Sequence, residues 1–518
     1  MSQEQQIHSR STTKKAGLFL GPLLSFVVLL LDFDPLNPAA TKMAAIAVLM
    51  ATWWITEAIP LAATALLPLV LFPLLGILKG KATAPVYINS TIFLFVGGFM
   101  IALTMEKWHL QKRIALWIIK TVGGGPSKVV FGFMLASAFL SMWISNTATA
   151  IMMLPIALAL VNQLEEEFGK QATHQFTLCL MLAIAYSCSV GGMATLVGTP
   201  PNLSFARIFE ITFPNAPPIE FGQWFLLGIP LSGSLLLLTW LILTKLIFPV
   251  PETLRTDPSI ITNEYRKLGK MSFEEKSVFG VFILTAFLWV FRKDLNLGFI
   301  VLPGWSALLP YSKLLDDGTV ALFMALLLFL IPTRTPLAPS TMIMESDVFK
   351  RIPWDIVLLF GGGFALAKGF QVTGLSNLIG EKFAGLSGSP PLLIVLGICF
   401  SLTFLTEFTS NTATTEMVLP ILASVAVAMG PNPLFLMIPA TLSASCAFMM
   451  PVATPPNAIV FGSGRIKVAE MVRAGVFLNF AGILVITVVF YFVGAFLFSI
   501  DPGILPEWAV PGEEISAE

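Results

Sequence analysis

Apolar residues in this chain come in long blocks rather than narrow amphipathic stripes. Blocks approaching the roughly 20 residues needed to cross a bilayer fall at 17–31, 43–57, 59–78, 90–106, 174–208, 222–248, 273–291, 319–332, 355–370, 432–462 and 473–499. The pattern predicts about eleven spans. Two of them, 174–208 and 432–462, are too long for one simple helix and carry Pro-Pro pairs inside. Two further blocks, 126–162 and 389–428, are broken midway by polar residues. Each is long enough to enter the membrane, turn and leave on the same side, so both read as re-entrant hairpins. The expected fold class is an all-α polytopic membrane protein.

Composition points the same way. Of the 518 residues, 56% are hydrophobic and 12% charged, about half the charge of a soluble domain. Thirty basic and thirty acidic residues cancel, which leaves no basic surface for nucleic acid. Cys179, Cys188, Cys399 and Cys446 all lie in apolar stretches and read as packing residues, not as a disulfide framework. Arg10, Lys14 and Lys15 precede Gly17–Leu31 without a small-residue cleavage site, so that stretch is read as the first span rather than a signal peptide.

Lysine and arginine set the orientation, because cytoplasmic loops are enriched in them. With the N-terminus inside, 21 of these residues fall on the inner side and 9 on the outer. The acidic tail (Glu513, Glu514, Glu518) then lies outside. The expected location is the plasma (inner) membrane, multi-pass, in contact with membrane lipid. The basic stretch Lys107–Lys120 reads as an amphipathic cytoplasmic connector. Gly123-Gly124-Gly125-Pro126-Ser127-Lys128 lacks the order of a phosphate loop and reads as a turn into the first hairpin.

A repeat sharpens the picture. Ile144-Ser145-Asn146-Thr147-Ala148-Thr149 recurs as Thr409-Ser410-Asn411-Thr412-Ala413-Thr414, an offset of 265, and both copies run on to Leu-Pro. Gly97-Gly98-Phe99 pairs with Gly362-Gly363-Phe364 at the same offset. Gly198-Thr199-Pro200-Pro201-Asn202 pairs with Ala453-Thr454-Pro455-Pro456-Asn457 at an offset of 255. The copies are five spans apart, and an odd number inverts one relative to the other. Inverted repeats with broken helices place a binding site near the bilayer midplane.

The repeated residues are polar and helix-breaking. Non-helical backbone survives in a membrane only where it is buried in protein or lines a cavity. Proline removes a helix donor and disfavours helix just before it. Freed carbonyls, with serine and threonine hydroxyls, are hard oxygen ligands for a small cation. Freed N–H groups at the start of the next half-helix suit an anion. An asparagine amide can serve both. Each break therefore supplies a cation site beside an anion site.

No nucleophile–base pair and no metal cluster of Cys, His or Asp is evident, so an enzyme is not expected. Glu57 and Asp355 fall near span ends and read as interfacial. Glu407 and Glu416 flank the second motif and could pair locally or tune it electrostatically.

With these motifs in place, the sequence resembles the divalent anion:sodium symporter family, of the INDY type, over most of its length. The resemblance implies an elevator-type homodimer in which a fixed scaffold carries a moving transport domain. Its divisions would be a cytoplasmic N-terminus 1–16, scaffold 17–125 and 251–388, transport 126–250 and 389–500, and an external tail 501–518. It implies one sodium site at Ser141, Ser145, Asn146 and Gly198, and a second at Thr406, Thr409, Asn411 and Ala453, partly through carbonyls. Substrate, a di- or tricarboxylate such as succinate, malate or fumarate, would touch Ser145, Asn146, Thr147, Ser410, Asn411 and Thr412, with Thr199, Pro200, Thr454 and Pro455 close by. Na+ would be co-transported, with no organic cofactor. A sodium-independent dicarboxylate exchanger and a sodium-coupled sulfate or citrate carrier both remain open at this level.

Overall fold

The computed structural model describes residues 3–251, 254, 259–298, 300–334, 342–383, 390–501 and 503–510. Arg255, the tail residues Glu513, Glu514 and Glu518, and the expected boundary at 388–389 lie outside or at the edge of the described residues.

The first part of the chain forms α1 (Gln3–Leu31), α2 (Pro38–Thr56), α3 (Leu61–Thr64), α4 (Leu67–Leu75), α5 (Gly80–Tyr87), α6 (Ser90–Lys107) and α7 (Leu110–Val122). It continues through α8 (Pro126–Ser141), α9 (Asn146–Phe168), α10 (Lys170–Gly192), α11 (Pro200–Thr212) and α12 (Phe221–Leu241). The middle holds α13 (Ser259–Lys267), α14 (Phe273–Val290), a short antiparallel pair (Leu295–Asn296 with Val301–Leu302), α15 (Asp317–Leu330) and α16 (Val348–Arg351). The second half runs α17 (Trp354–Val372), α18 (Leu375–Phe383), α19 (Pro391–Leu405), α20 (Asn411–Met429), α21 (Leu434–Ser443), α22 (Pro455–Gly462), α23 (Val468–Val489) and α24 (Ala495–Leu497).

Among the described residues nine helices are long and apolar enough to cross a membrane, so the chain is a multi-pass membrane protein. They differ in what surrounds them. The apolar window of α10 is 94% buried within the protein, whereas that of α1 is 11% buried. A helix buried all round forms the core, and one apolar but unburied faces lipid.

Both halves run through the same order of elements, from α6 to α12 and from α17 to α23. A glycine-bearing helix is followed by a short connector, two hairpin arms (α8–α9, α19–α20), a broken pair (α10–α11, α21–α22) and a long helix. The long helices α12 and α23 each run into a π-helical turn, Ile242–Ile247 and Phe490–Gly494. The repeated glycines explain how the halves dock. A Cβ on Gly97 would lie 2.7 Å from the Ala321 Cβ of α15, and one on Gly362 would lie 2.6 Å from the Ala65 Cβ. Small residues let membrane helices approach closely, and here the same position does so in both copies.

The expected span 59–78 is instead divided into α3 and α4, because the chain turns at Ala65 and Leu66. The division has a purpose. Ala65 receives Gly362, and its carbonyl accepts from Tyr87 Oη at 2.6 Å. The expected span 319–332 is the 14-residue α15. The connector α7 is not simply a surface helix, since Arg113 is buried and bonds Glu275 of α14 through two N–H groups (2.9 and 3.0 Å). Its remaining N–H groups reach the Leu268 and Gly269 carbonyls. All four cysteines are free and buried, as expected of packing residues. Gly123 and Gly124 adopt positive φ (47° and 91°) and turn the chain into Pro126 at the start of α8.

Candidate functional site

Each hairpin breaks where the polar motif begins. α8 ends at Ser141 and α9 starts at Asn146, while α19 ends at Leu405 and α20 starts at Asn411. Ser145 and Ser410 are the N-caps, their hydroxyls accepting from the Ala148 N–H (3.1 Å) and the Ala413 N–H (3.4 Å). Serine is favoured here because it satisfies one of the four N–H groups that a helix start leaves unpaired. Ser145, Asn146, Thr147, Ser410 and Asn411 are half-buried, and Thr412 is buried.

Just before each break, a hydroxyl points at the carboxamide that follows it. Ser141 Oγ donates to Asn146 Oδ1, and Thr406 Oγ1 donates to Asn411 Oδ1 at 2.6 Å. These are the same two positions of the repeat. Thr406 also donates to the Ala444 carbonyl at 2.9 Å, which ties the second hairpin to the α21–α22 break. In the first copy the tie is Thr195 Oγ1, which donates to the Met142 carbonyl at 2.5 Å.

The broken helices come apart at 193–199 and at 444–454, and each is restarted by Pro at the first helical position. Thr199 and Thr454 are the N-caps. The Thr454 hydroxyl accepts from the Asn457 N–H at 3.4 Å, while the Thr199 hydroxyl makes no capping bond. Two asparagines hold the freed carbonyls. Asn202 Nδ2 donates to the Thr195 carbonyl at 2.8 Å and the Met193 carbonyl at 3.2 Å. Asn457 Nδ2 donates to the Ala447 and Met450 carbonyls at 3.0 and 3.1 Å. Both are fully buried, and both keep an Oδ1 without a hydrogen-bond partner. Both belong to the repeated Thr-Pro-Pro-Asn motif, and here their amides serve the break itself.

The first copy gathers oxygens closely. A Cβ on Gly192 would lie 2.8 Å from Asn146 Oδ1 and 2.9 Å from the Gly198 carbonyl, and one on Gly198 would lie 2.5 Å from the Gly192 carbonyl. Only glycine fits at either position. Ser141, Asn146 and Gly198 are thus brought together around neutral oxygens. In the second copy Thr406 and Asn411 meet, with Ala453 in the turn closed by its N–H to the Met450 carbonyl (3.2 Å). The Thr409 hydroxyl is committed within its own hairpin. It bonds the Leu405 carbonyl (3.0 Å) and Thr414 Oγ1 (2.6 Å), leaving only its carbonyl for a ligand. Pro200 is half-buried and Pro455 exposed, each at the mouth of its half-helix.

The two copies interlock. The arm α9 packs on α22 of the other repeat, and α20 packs on α11. The Ser204–Glu416 bond sets the start of α11 beside that of α20, and each half-helix start presents N–H groups and the positive end of a helix dipole.

The flanking acids lie deep in the fold. Glu407 and Glu416 are both fully buried. Glu407 accepts from the N–H groups of Phe448 (2.7 Å), Met449 (2.8 Å) and Met450 (3.0 Å), and from Asn479 Nδ2 (2.8 Å). Glu416 accepts from Ser204 of α11, and its other oxygen has no partner. Asp355 is exposed at its helix start, and Glu57 pairs with Lys14 at 3.2 Å near the end of α2.

The chain as a whole is similar to known proteins. Residues 15–500 fit the family model described as the sodium:sulfate symporter transmembrane region. The chain belongs to this family. A relative named sodium-dependent dicarboxylate transporter, from Staphylococcus saprophyticus, is 42% identical over 507 residues, covering 96% of this chain and 95% of that one. Its namesake from Staphylococcus aureus strain NCTC 8325 is 43% identical over 492 residues, covering 94% and 92%. Two solved structures share the fold. The YdaH transporter of Alcanivorax borkumensis has a TM-score of 0.55 at 15% identity, covering 86% of this chain and 98% of that one. MtrF of Neisseria gonorrhoeae has 0.56 at 12% identity, covering 82% and 85%. At these identities the likeness of symporter-family fold is one of architecture alone.

Proposed function

We propose that the protein is a secondary active transporter that couples sodium ions to the uptake of a dicarboxylate. The observation that carries this reading is the twinned hydroxyl–carboxamide pair, Ser141–Asn146 and Thr406–Asn411, each set at the start of a half-helix. Such a pair offers neutral oxygens to a cation on one side and helix N–H groups to a carboxylate on the other. The names of the staphylococcal relatives support sodium and a dicarboxylate as the two solutes.

In this reading one sodium is held by Ser141, Ser145, Asn146 and Gly198, with the two serines contributing hydroxyls. The other is held by Thr406, Asn411 and the carbonyls of Thr409 and Ala453. Substrate lies between the tips, its carboxylates facing Ser145–Thr147 and Ser410–Thr412, with Thr199, Pro200, Thr454 and Pro455 close by. Sodium binds first and orders the tips, which turns N–H and hydroxyl donors toward the cavity. Two carboxylates repel each other in a low-dielectric cleft, so cations and helix dipoles must offset that repulsion.

Movement is assigned to residues 126–250 with 389–500, sliding as one body against 17–125 with 251–388. The interlocked packing of α9 on α22 and of α20 on α11 supports a single moving body. The reading includes a homodimer in the plasma membrane, N-terminus inside and C-terminus outside. Each net charge carried is worth about 2.3 kcal/mol per 100 mV, so an excess of sodium over substrate charge harnesses an inside-negative potential.

The test is uptake of labelled succinate into proteoliposomes under an inward sodium gradient or an equal potassium gradient. Uptake with sodium alone is the expected result. Equal uptake in both, stimulated by preloaded dicarboxylate, would make the protein an exchanger instead.

A further inference from the structure

We propose that Glu407 is a positioning residue for the cation site of the second repeat, clamping the α21–α22 break to the hairpin tip and supplying a negative charge that the first repeat lacks. The proposal rests on the cation sites proposed above.

Glu407 directly follows Thr406, whose hydroxyl bonds both Asn411 Oδ1 and the Ala444 carbonyl. Its carboxylate gathers three consecutive N–H groups, of Phe448, Met449 and Met450, in the non-helical run between α21 and α22. The Met450 carbonyl in turn receives Asn457 Nδ2 and the Ala453 N–H. A continuous chain of hydrogen bonds therefore joins Glu407 to the turn that carries Ala453. Both walls of the second site, the tip and the broken helix, are fixed to each other by Glu407 together with its neighbour Thr406.

The first repeat is built differently. The position equivalent to Glu407 is Met142, and Ser232 of α12 stands where α23 has Asn479, four residues beyond the glycines Gly228 and Gly475 that pack alike on the two breaks. In the first repeat the link between tip and break is neutral, Thr195 Oγ1 to the Met142 carbonyl. Asn479 Nδ2 serves the Glu407 carboxylate, whereas the Ser232 hydroxyl donates to the Val190 carbonyl, so the charge and the side chain that serves it both belong to the second repeat.

All four hydrogen bonds to Glu407 come from neutral donors. A buried carboxylate satisfied only by neutral groups still carries its full charge into a low-dielectric interior, where an opposite charge is strongly favoured. A cation between Thr406 and Asn411, beside Glu407 in the chain, is placed to supply it. The second site thus holds its sodium against a full negative charge and the first against neutral oxygens only, so the two sites differ in affinity.

The experiment measures sodium activation of labelled succinate uptake in proteoliposomes for the parent, Glu407→Gln, Glu407→Asp and Asn411→Ala. Sodium-dependent thermal stabilisation of each purified protein, with choline chloride as the control salt, gives a readout independent of flux. Glu407→Gln should raise half-activating sodium about tenfold, the factor expected for losing a charged hydrogen-bond acceptor. Its maximal rate at saturating sodium should stay within about threefold, a split that a merely structural role would not produce. Glu407→Asp keeps the charge and should recover most of the shift. Should Glu407→Gln not fold, Asn479→Ala removes one donor to the carboxylate and should shift half-activating sodium in the same direction, by about threefold. Unchanged half-activation with a lowered maximal rate, in Glu407→Gln or in Asn479→Ala, overturns the proposal. If Asn411→Ala also leaves sodium activation and stabilisation unchanged, the cation-site reading itself fails, which separates the two failures.

Discussion

The hairpin arms α9 and α20 descend from one sequence pattern, yet they occupy unlike surroundings. Five residues beyond the motif asparagine, α9 carries Ile151, which is 57% exposed. At the same position α20 carries Glu416, fully buried, receiving Ser204 and lying so close to Gly363 of α17 that a Cβ there would strike its carboxyl group. The arm α20 packs against both α17 and α11. In the first repeat the equivalent glycine, Gly98, has Trp289 and Val197 within reach and not its own hairpin arm. Two copies of one design are caught in different relations to their glycine helices. On the proposed alternating-access reading, exchanging those relations would describe the opposite end of the transport cycle.

The largest effect should come from removing what the copies share. Asn146→Ala combined with Asn411→Ala deletes both carboxamides while leaving the apolar packing intact. Each loss is worth on the order of 1.5–3 kcal/mol for groups that bind charge, so uptake should fall at least about a hundredfold. Membrane insertion and monodispersity in detergent should be unchanged. Near-normal uptake would remove the proposed site altogether.

A second test holds α20 where it now sits. With Gly363→Cys and Glu416→Cys, the two Cβ positions would start about as close as the 2.7 Å separating a Gly363 Cβ from the Glu416 Cβ. A disulfide prefers roughly 3.8 Å, so a small outward adjustment allows the bond. The native cysteines are all buried and should not compete. Crosslinking should stop uptake and reductant should restore it. Full activity in the crosslinked protein would mean that α20 never leaves α17, and would break the exchange of relations drawn above.

These particulars show what the sequence made legible. Polar, helix-breaking residues inside apolar blocks stand out because hydrocarbon tolerates them only for a reason, so the hairpins, the breaks and Asn146 and Asn411 could be read directly. Glu407 was visible as a charge, but its partners are backbone N–H groups about forty residues away, and backbone donors leave no mark in a sequence. Gln111 and Arg113 look like solvent-facing residues of a basic stretch, since burial depends on α14 arriving from elsewhere in the chain. The block 59–78 looks like one span because its break serves the docking of Gly362, a contact between distant parts of the chain.

The connectors extend the contrast between repeats. At the position of Arg113 in α7, the second connector α18 has Leu378. Arg113→Ala should leave Glu275 buried without its cation, a change that typically costs about 3–5 kcal/mol. The expected result is a marked fall in the thermal unfolding temperature in detergent. Arg113→Leu with Glu275→Leu should recover much of it, because a matched apolar pair removes both charges. Equal loss in the single and double variants would mean that the contacts to the Leu268 and Gly269 carbonyls, not the ion pair, hold α7 in place.

The smallest effect belongs to the residue where the motifs themselves diverge. Thr409 stands where the first repeat has Ile144, and its hydroxyl is committed to the Leu405 carbonyl and to Thr414 within its own hairpin. A sodium ligand at this position would have to be the backbone carbonyl, which a substitution leaves in place. Thr409→Ile therefore should keep half-activating sodium within about twofold of the parent, while the loss of a local hydrogen bond costs on the order of 1 kcal/mol of stability. The equivalent threonine in the first copy, Thr149, already has a hydroxyl without a partner beside Ile144, so the fold tolerates that arrangement. A large rise in half-activating sodium for Thr409→Ile would mean that the hydroxyl turns toward the cation during the cycle. The two sites would then differ in their ligands as well as in the charge behind them.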